Sequence, residues 1–409
     1  MGSLNDYPLS RSQWRLWYQQ ASEPDTSTLN VTLAARLRVP VDSAAASSAI
    51  AAVLDRHEVL RSVIRIGDGA EVCQAVVDRR PPPVVLLDYP AEHLALSELS
   101  DLELSSALKP FDLEHEPPFR ATVIRSPSDR ALAVLATVHH VCWDAFSATI
   151  LWRDLAEALA SPSDTERPAQ YHEYAESESR PPLRDRQASA VDRFVARAQA
   201  WDEQQADEPP AGEDRPHLLS FDLDDQLTAE TAGASLFTVL VAMAARAWFA
   251  TTDRDSMRLA LDVSLRGELP RFDDTIGMFQ NQVIVRLERA PDEELLQQAE
   301  FCVLDALECR WAPYDEVVRR SGWSGMVGRD PFDAKIFLEP PAAVADGPFE
   351  PVVRTMSFSR HDLTFGFTVR QGGTIGCCLT SRDAEIGARL PALQRELLAA
   401  TRVAAGASA

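Results

Sequence analysis

The stretch "RALAVLATVHHVCWDAFSATILWRDL", residues 130–155, decides how the rest of the chain is read. It opens on an apolar run that fits a buried strand. Two adjacent histidines, His139 and His140, close the run, and Asp144 follows four residues after the second. Beyond it Phe146, Ile150, Leu151, Leu155 and Leu159 recur at the spacing of one helical face. Strand, short loop and helix in this order put side chains at the edge of a sheet, where clefts form. The histidine pair admits three readings: a metal site, a buried structural pair, or a catalyst. Neighbouring residues of a strand point to opposite faces, which argues against joint metal ligation and leaves one histidine facing the cleft. Imidazole titrates nearest neutrality, so a positioned histidine can take a proton and return it. Asp144 then either orients the imidazole or anchors the loop by pairing with an arginine.

Composition narrows the function classes. At 409 residues the chain exceeds what one hydrophobic core supports, so two lobes are expected. A formal net charge of −22 argues against a nucleic-acid partner, which needs a basic stripe. No apolar stretch reaches the length of a membrane span, and the first residues lack the pattern of a secretory signal, so no membrane partner and a cytoplasmic location are expected. Arginine almost wholly replaces lysine, with only Lys109 and Lys335 present. The six cysteines (Cys73, Cys142, Cys302, Cys309, Cys377, Cys378) form no CxxC pair, which points to reduced thiols and away from zinc. No metal site is expected.

Along the chain, strand-like and helix-like segments alternate twice. Residues 29–39 alternate as a half-buried strand, and an alanine-rich helix follows from Asp42 or Ser43. Between about 161 and 216 the chain turns proline-rich and charged around one helical stretch, "VDRFVARAQAWDEQ". After it come a strand at 217–223, the apolar helix "SLFTVLVAMAARAWFA", further strands including one at 351–358, and a closing helix over 384–404. The expected division is an N-terminal lobe over 1–175, a linker over 176–216 and a C-terminal lobe over 217–409. The element order predicts an α/β (α+β) protein of two similar halves.

"HHVCWDA" resembles the HHxxxDG motif of the condensation domains of nonribosomal peptide synthetases, in the superfamily that includes chloramphenicol acetyltransferase. Six further blocks are similar to that family's in the same order: "YPLSRSQWRLWYQQ" (7–20), "RHEVLRSVI" (56–64), "PFDLEHEPPFRATVIR" (110–125), "YHEYA" (171–175), "VSLRGE" with "IGMFQNQVIVRL" (263–287), and "RHDLTFGFT" (360–368). The resemblance implies two acyltransferase-like lobes in a V shape around a tunnel that admits phosphopantetheine arms. It implies His140 as the catalytic histidine and His139 as its structural neighbour. Asp144 is implied to pair with an arginine, Arg266 of the second lobe before Arg120. Ser147 and Asn281 are tunnel-wall polar groups in this reading, or ordinary structural hydrogen-bonding groups. The family's motif glycine is Ala145 here, which would be strained at φ > 0 and otherwise adds one methyl group. Trp143 either narrows the tunnel or belongs to the core. Cys142 sits in the motif without an activating arrangement for a nucleophile.

The implied activity is acyl transfer, by a free-standing enzyme or by a domain excised from a larger one. An amine or hydroxyl acceptor, small or carrier-tethered, attacks an acyl thioester on the phosphopantetheine of an acyl or peptidyl carrier protein. No permanently bound cofactor is required. The sequence leaves open whether His140 acts as a base or stabilises the tetrahedral intermediate. Alternatives are a catalytically silent module that recruits carrier proteins or tailoring enzymes, an epimerase-type relative, and a coenzyme A-dependent acyltransferase. Heterocyclising relatives carry aspartates in place of the histidine pair and are disfavoured.

Overall fold

A computed structural model of the chain describes residues 6–67, 71–77, 84–160, 167–201, 217–223, 234–323, 330–339, 347–352, 361–370 and 373–404. Its elements run β1 (Asp6–Pro8), α1 (Arg11–Ser22), β2 (Asn30–Asp42), α2 (Ser43–Arg56), β3 (Ser62–Ile66), β4 (Val72–Val76), β5 (Val84–Asp88), α3 (Leu96–Ala107), β6 (Phe119–Arg125), β7 (Arg130–His139), α4 (Ala145–Ala160) and α5 (Tyr171–Glu178). They continue with α6 (Leu183–Ala198), β8 (His217–Asp222), α7 (Leu236–Thr251), β9 (Ser256–Ser264), β10 (Gln280–Glu288), α8 (Asp292–Glu308), α9 (Tyr314–Arg320), β11 (Ala334–Glu339), β12 (Phe349–Pro351), β13 (Thr364–Val369), β14 (Ile375–Ser381) and α10 (Ala384–Ala404). The strand expected over 351–358 lies mostly outside the described residues.

The apolar run of the opening stretch is the centre of a five-stranded sheet ordered β12-β2-β7-β6-β5. Every residue of β7 after Arg130 is buried, as expected of a central strand covered on both faces. Antiparallel β2 and β6 flank it, and β5 adds to β6 in parallel. Helix α3 packs on β2, while α2 packs on α4 and on β6. The buried face of α2 carries Ala46 and Ala49 beside Ile50 and Val53, small residues that let two helices approach closely. Each aliphatic side chain removed from water in this core contributes roughly 1.5–3 kcal/mol.

Two compact units emerge, and neither is a single run of sequence. The first gathers Met1–Arg184, Arg266–Phe279 and Ala342–Arg354; the second gathers Asp185–Leu265, Gln280–Pro341 and Thr355–Ala409. Thus two segments from the expected C-terminal lobe fold with the N-terminal one. The reason is visible in each case: β12 pairs with the edge of β2, and Arg266 pairs with Asp144. The stretch expected as a linker contributes α6 to the second unit. That unit is built on one sheet ordered β10-β9-β11-β13-β14-β8, with α7, α8 and α10 packed together against it.

A three-stranded sheet, β1-β4-β3, completes the first unit. A capping box starts α1: Ser10 Oγ accepts from the Gln13 amide at 3.1 Å, and the Ser10 amide donates to Gln13 Oε1 at 3.0 Å. The Tyr171 hydroxyl lies 2.8 Å from Ser10 Oγ and donates to the Met278 carbonyl at 2.7 Å. Tyr171, Tyr174, Phe272 and Phe279 form one aromatic cluster, with Tyr171 and Phe279 edge-to-face at 5.0 Å. The "YHEYA" and "IGMF" blocks therefore meet in the core. Gly277 is what lets them meet, because a Cβ there would lie 2.0 Å from Tyr171 Cδ2. Gly277→Ala should destabilise the protein by about 1–3 kcal/mol or more in urea unfolding. An unchanged midpoint would contradict this packing.

Candidate active site

The strand ends between the two histidines, and that separates their environments. His139 is the last residue of β7 and is fully buried, while His140 opens a 3-10 turn over His140–Cys142 and is half-buried. The His140 amide donates to the Leu29 carbonyl at 2.8 Å, and the Trp143 amide donates back to the His140 carbonyl at 3.2 Å.

Hydrogen bonding fixes a different tautomer for each ring. His139 Nδ1 lies 3.1 Å from the Val141 amide, which can only donate, so Nδ1 accepts. Its Nε2–H then donates to Gln20 Oε1 at 3.1 Å, an oxygen whose orientation is set because Gln20 Nε2 donates to the Pro24 carbonyl. His140 Nδ1 lies 2.7 Å from the Trp143 carbonyl, which can only accept, so Nδ1 carries the proton. The lone pair of His140 is therefore on Nε2, the arrangement a proton acceptor needs. His139 has both nitrogens committed.

Burial pushes the His139 pKa down to about 3, helped by the neighbouring His140 and Arg120. Phe111 packs edge-on against the ring at 6.0 Å, and the Arg120 guanidinium sits 3.8 Å over Phe111. His139 is neutral at physiological pH and serves as a hydrogen-bonding strut. His57, of the "RHEVLR" block, is also buried, 2.7 Å from Asp154 through Nε2. Burial lowers its pKa too, against the raising effect of Asp154.

Asp144 is saturated. Its Oδ1 accepts from the Ser147 amide at 2.9 Å, the Ser147 hydroxyl at 2.7 Å and Arg266 Nη2 at 3.0 Å. Its Oδ2 accepts from Arg266 Nε at 2.8 Å and the Phe279 amide at 3.2 Å. Arg266 also donates to the Phe272 carbonyl at 3.1 Å and lies 4.4 Å over the Phe279 ring. Both ions are buried, so only this degree of pairing makes the arrangement tolerable. Arg120, the lesser expected partner, instead bonds Glu116 and the carbonyls of Lys109 and Pro110.

The remaining expected residues fall into place around this pair. Ser147 is fully buried on α4, its hydroxyl directed at Asp144. Ala145 opens α4, and Asp129 is the non-glycine residue with positive φ among the described residues, so alanine is unstrained here. Trp143 is a buried side chain whose carbonyl holds His140. Burial raises the Cys142 thiol well above its ordinary range, which excludes it as a ready nucleophile. Asn281 lies in the second unit, donating to the Arg310 and Ala312 carbonyls at 2.9 and 2.6 Å. Gln20, Gly277 and Tyr171 hold the site's framework; each lies in one of the family-like blocks, but the sequence reading gave none of them that role. Among the described residues no group of three or more His, Cys, Asp or Glu is arranged to hold a metal, and no helix is long and apolar enough to cross a membrane.

A model of the condensation-domain family matches residues 3–342. Among similar proteins, the probable non-canonical nonribosomal peptide synthetase CymA of Salinispora arenicola is 27% identical over 413 residues, covering 90% of this chain and 5% of that protein. Phosphinothricin tripeptide synthetase PhsC of Streptomyces viridochromogenes is 31% identical over 341 residues, covering 76% of this chain and 30% of that protein. The chain thus spans less than a third of the length of these two relatives. A starter condensation domain of rhizomide synthetase RzmA, solved with C8-CoA, superposes with a TM-score of 0.84 at 18% identity, covering 98% of this chain and 95% of that one. The X-domain from teicoplanin biosynthesis superposes at 0.78 with 20% identity, covering 99% and 96%. These structural likenesses concern the fold.

Two measurements test the site's framework. A histidine whose folded pKa is depressed contributes stability that is complete above its unfolded pKa and is lost as pH falls below it. His139 should therefore cost about 2 kcal/mol between pH 7 and pH 5. Urea unfolding should show this loss in the wild type and a smaller one in His139→Asn; equal pH slopes would contradict the assignment. In a double-mutant cycle, Asp144→Leu and Arg266→Met should each destabilise by about 3–5 kcal/mol, and the double variant by clearly less than the sum. Additive losses would show that the two ions are not a unit.

Proposed function

Because the chain belongs to the condensation-domain family, whose members form amide or ester bonds from carrier-bound thioesters, we propose that His140 is the group through which this chain performs that transfer. The reading rests on one observation, the tautomer imposed by the Trp143 carbonyl, which leaves the lone pair on Nε2. An amine or hydroxyl acceptor attacks the thioester carbonyl of an acyl or aminoacyl group held on a carrier protein's phosphopantetheine. The new C–N or C–O bond forms as the C–S bond breaks. His140 Nε2 takes the acceptor's proton and returns it to the departing thiolate, so the histidine ends neutral. His139 holds the backbone of the turn, and Asp144 with Arg266 locks the loop that carries the Trp143 carbonyl.

In this reading the partners are acyl or peptidyl carrier proteins and an acceptor that is small or carrier-tethered, in the cytoplasm, with no permanently bound cofactor. Ala145 in place of the motif glycine favours a silent recruiting module slightly. The intact His140, Asp144 and Arg266 arrangement favours catalysis more, since a silent module has no need of a positioned lone pair.

His140→Ala should lower transfer from a loaded carrier to its acceptor by about 10²-fold or more, with an unchanged circular dichroism spectrum. The assay is intact-protein mass spectrometry of carrier proteins loaded with candidate acyl groups. Undiminished transfer in this variant would remove His140 from the mechanism.

A further inference from the structure

One short segment holds His140 from two directions. Residues 23–29 join α1 to β2 and turn tightly: the Thr26 amide donates to the Glu23 carbonyl at 3.0 Å, and the Asn30 amide to the Ser27 carbonyl at 3.0 Å. The direct hold is the Leu29 carbonyl, which accepts from the His140 amide at 2.8 Å. The indirect hold runs through Gln20, a buried residue near the end of α1.

Both ends of the Gln20 amide are set. Its Nε2 donates to the Pro24 carbonyl at 3.0 Å and to the Thr26 carbonyl at 3.4 Å. Carbonyls only accept, so the amide cannot be turned round, and Oε1 faces His139. That oxygen takes the His139 Nε2–H at 3.1 Å. A neutral imidazole has one proton, so placing it on Nε2 leaves Nδ1 to accept the Val141 amide at 3.1 Å. Val141 is the middle residue of the His140–Cys142 turn, and the next residue, Trp143, supplies the carbonyl that fixes the His140 proton at 2.7 Å. All of these residues belong to the first unit. Without the Gln20 oxygen, the buried Nε2–H has no acceptor. An orphaned buried donor costs more than one neutral hydrogen bond contributes. A shift of the ring that finds this proton another acceptor is then favoured even at the expense of the Val141 bond, and the turn loosens with it.

We infer that Gln20 is a positioning residue for acyl transfer: by fixing the proton of His139 it holds the turn that sets His140. This rests on the acyl-transfer reading of His140. Gln20 acts through other residues, so its effect falls on the chemical step and leaves substrate binding alone. Asparagine at position 139 removes the dependence. Its side-chain oxygen accepts the amide two residues on, as in an Asx-turn, with no ring proton to place.

The test pairs steady-state transfer, with the loaded carrier protein and acceptor on which the wild type is active, with amide hydrogen exchange on the whole chain. Gln20→Met fills the space of glutamine without an acceptor, and Gln20→Leu is carried beside it so that a folding failure of one leaves the other. Either variant should lower kcat by about 10-fold with KM within about 2-fold. The Val141 amide should exchange about 10-fold faster while the amides of β7 keep their wild-type rates. In the His139→Asn background the same change at Gln20 should cost less than about 2-fold further, because the effect passes through the His139 proton. Three results would overturn the inference: an equal loss in both backgrounds, an unchanged Val141 exchange rate, or an unchanged kcat while His140→Ala still abolishes transfer. Undiminished transfer in His140→Ala would instead count against the acyl-transfer reading, and the Val141 exchange rate would still decide the link from Gln20 to the turn.

Discussion

Much of the first unit depends on one carboxylate. Asp144 accepts five hydrogen bonds from three residues, and two of those residues come from a segment more than 110 positions away in sequence. A buried carboxylate has no water to fall back on, so each donor is obligatory in a way a surface contact is not. This requirement draws Arg266–Phe279 into the first unit. It brings Gly277 under Tyr171 and Phe279 into the aromatic cluster. The same anchoring fixes the start of α4, and with it the turn that presents His140. Asp144 makes none of these bonds to a histidine, so its influence on chemistry passes through backbone position.

The histidine pair shows how backbone geometry divides labour between identical side chains. One residue terminates a strand and the next begins a tight turn. The strand residue finds an amide donor and a glutamine acceptor, which use up both its nitrogens in the dark of the core. The turn residue finds a carbonyl three positions ahead, which obliges the facing nitrogen to carry the proton and leaves the lone pair on the other. No negative charge beside His140 is needed to select its tautomer.

The parts of this structure legible in sequence are those that leave a periodic or motif trace. The apolar run 131–138 declared a buried strand, and the recurrence from Phe146 to Leu159 declared α4. Alternation along a strand predicted that the histidines would differ, although the difference arises because the strand stops between them. The Asp144–Arg266 pair was reachable through family resemblance alone, since nothing local marks a contact across 122 residues. The exchange of segments between units had no local signature at all. An edge strand of three residues, Phe349–Pro351, carries too little pattern to announce its pairing with β2. Gln20 reads as a polar residue near a helix end, and only the fold shows it orienting His139.

The central claim is that His140 carries its proton on Nδ1 and its lone pair on Nε2, while His139 holds the opposite tautomer. Nitrogen NMR of the protein labelled at its eight histidines, assigned with His139→Asn and His140→Ala variants, reads this directly. The account predicts that the neutral ring of His140 is unprotonated on Nε2, and that His139 keeps an unprotonated Nδ1 from pH 7 to pH 5. A neutral His140 ring protonated on Nε2, or a His139 that becomes doubly protonated near pH 6.5, would contradict it.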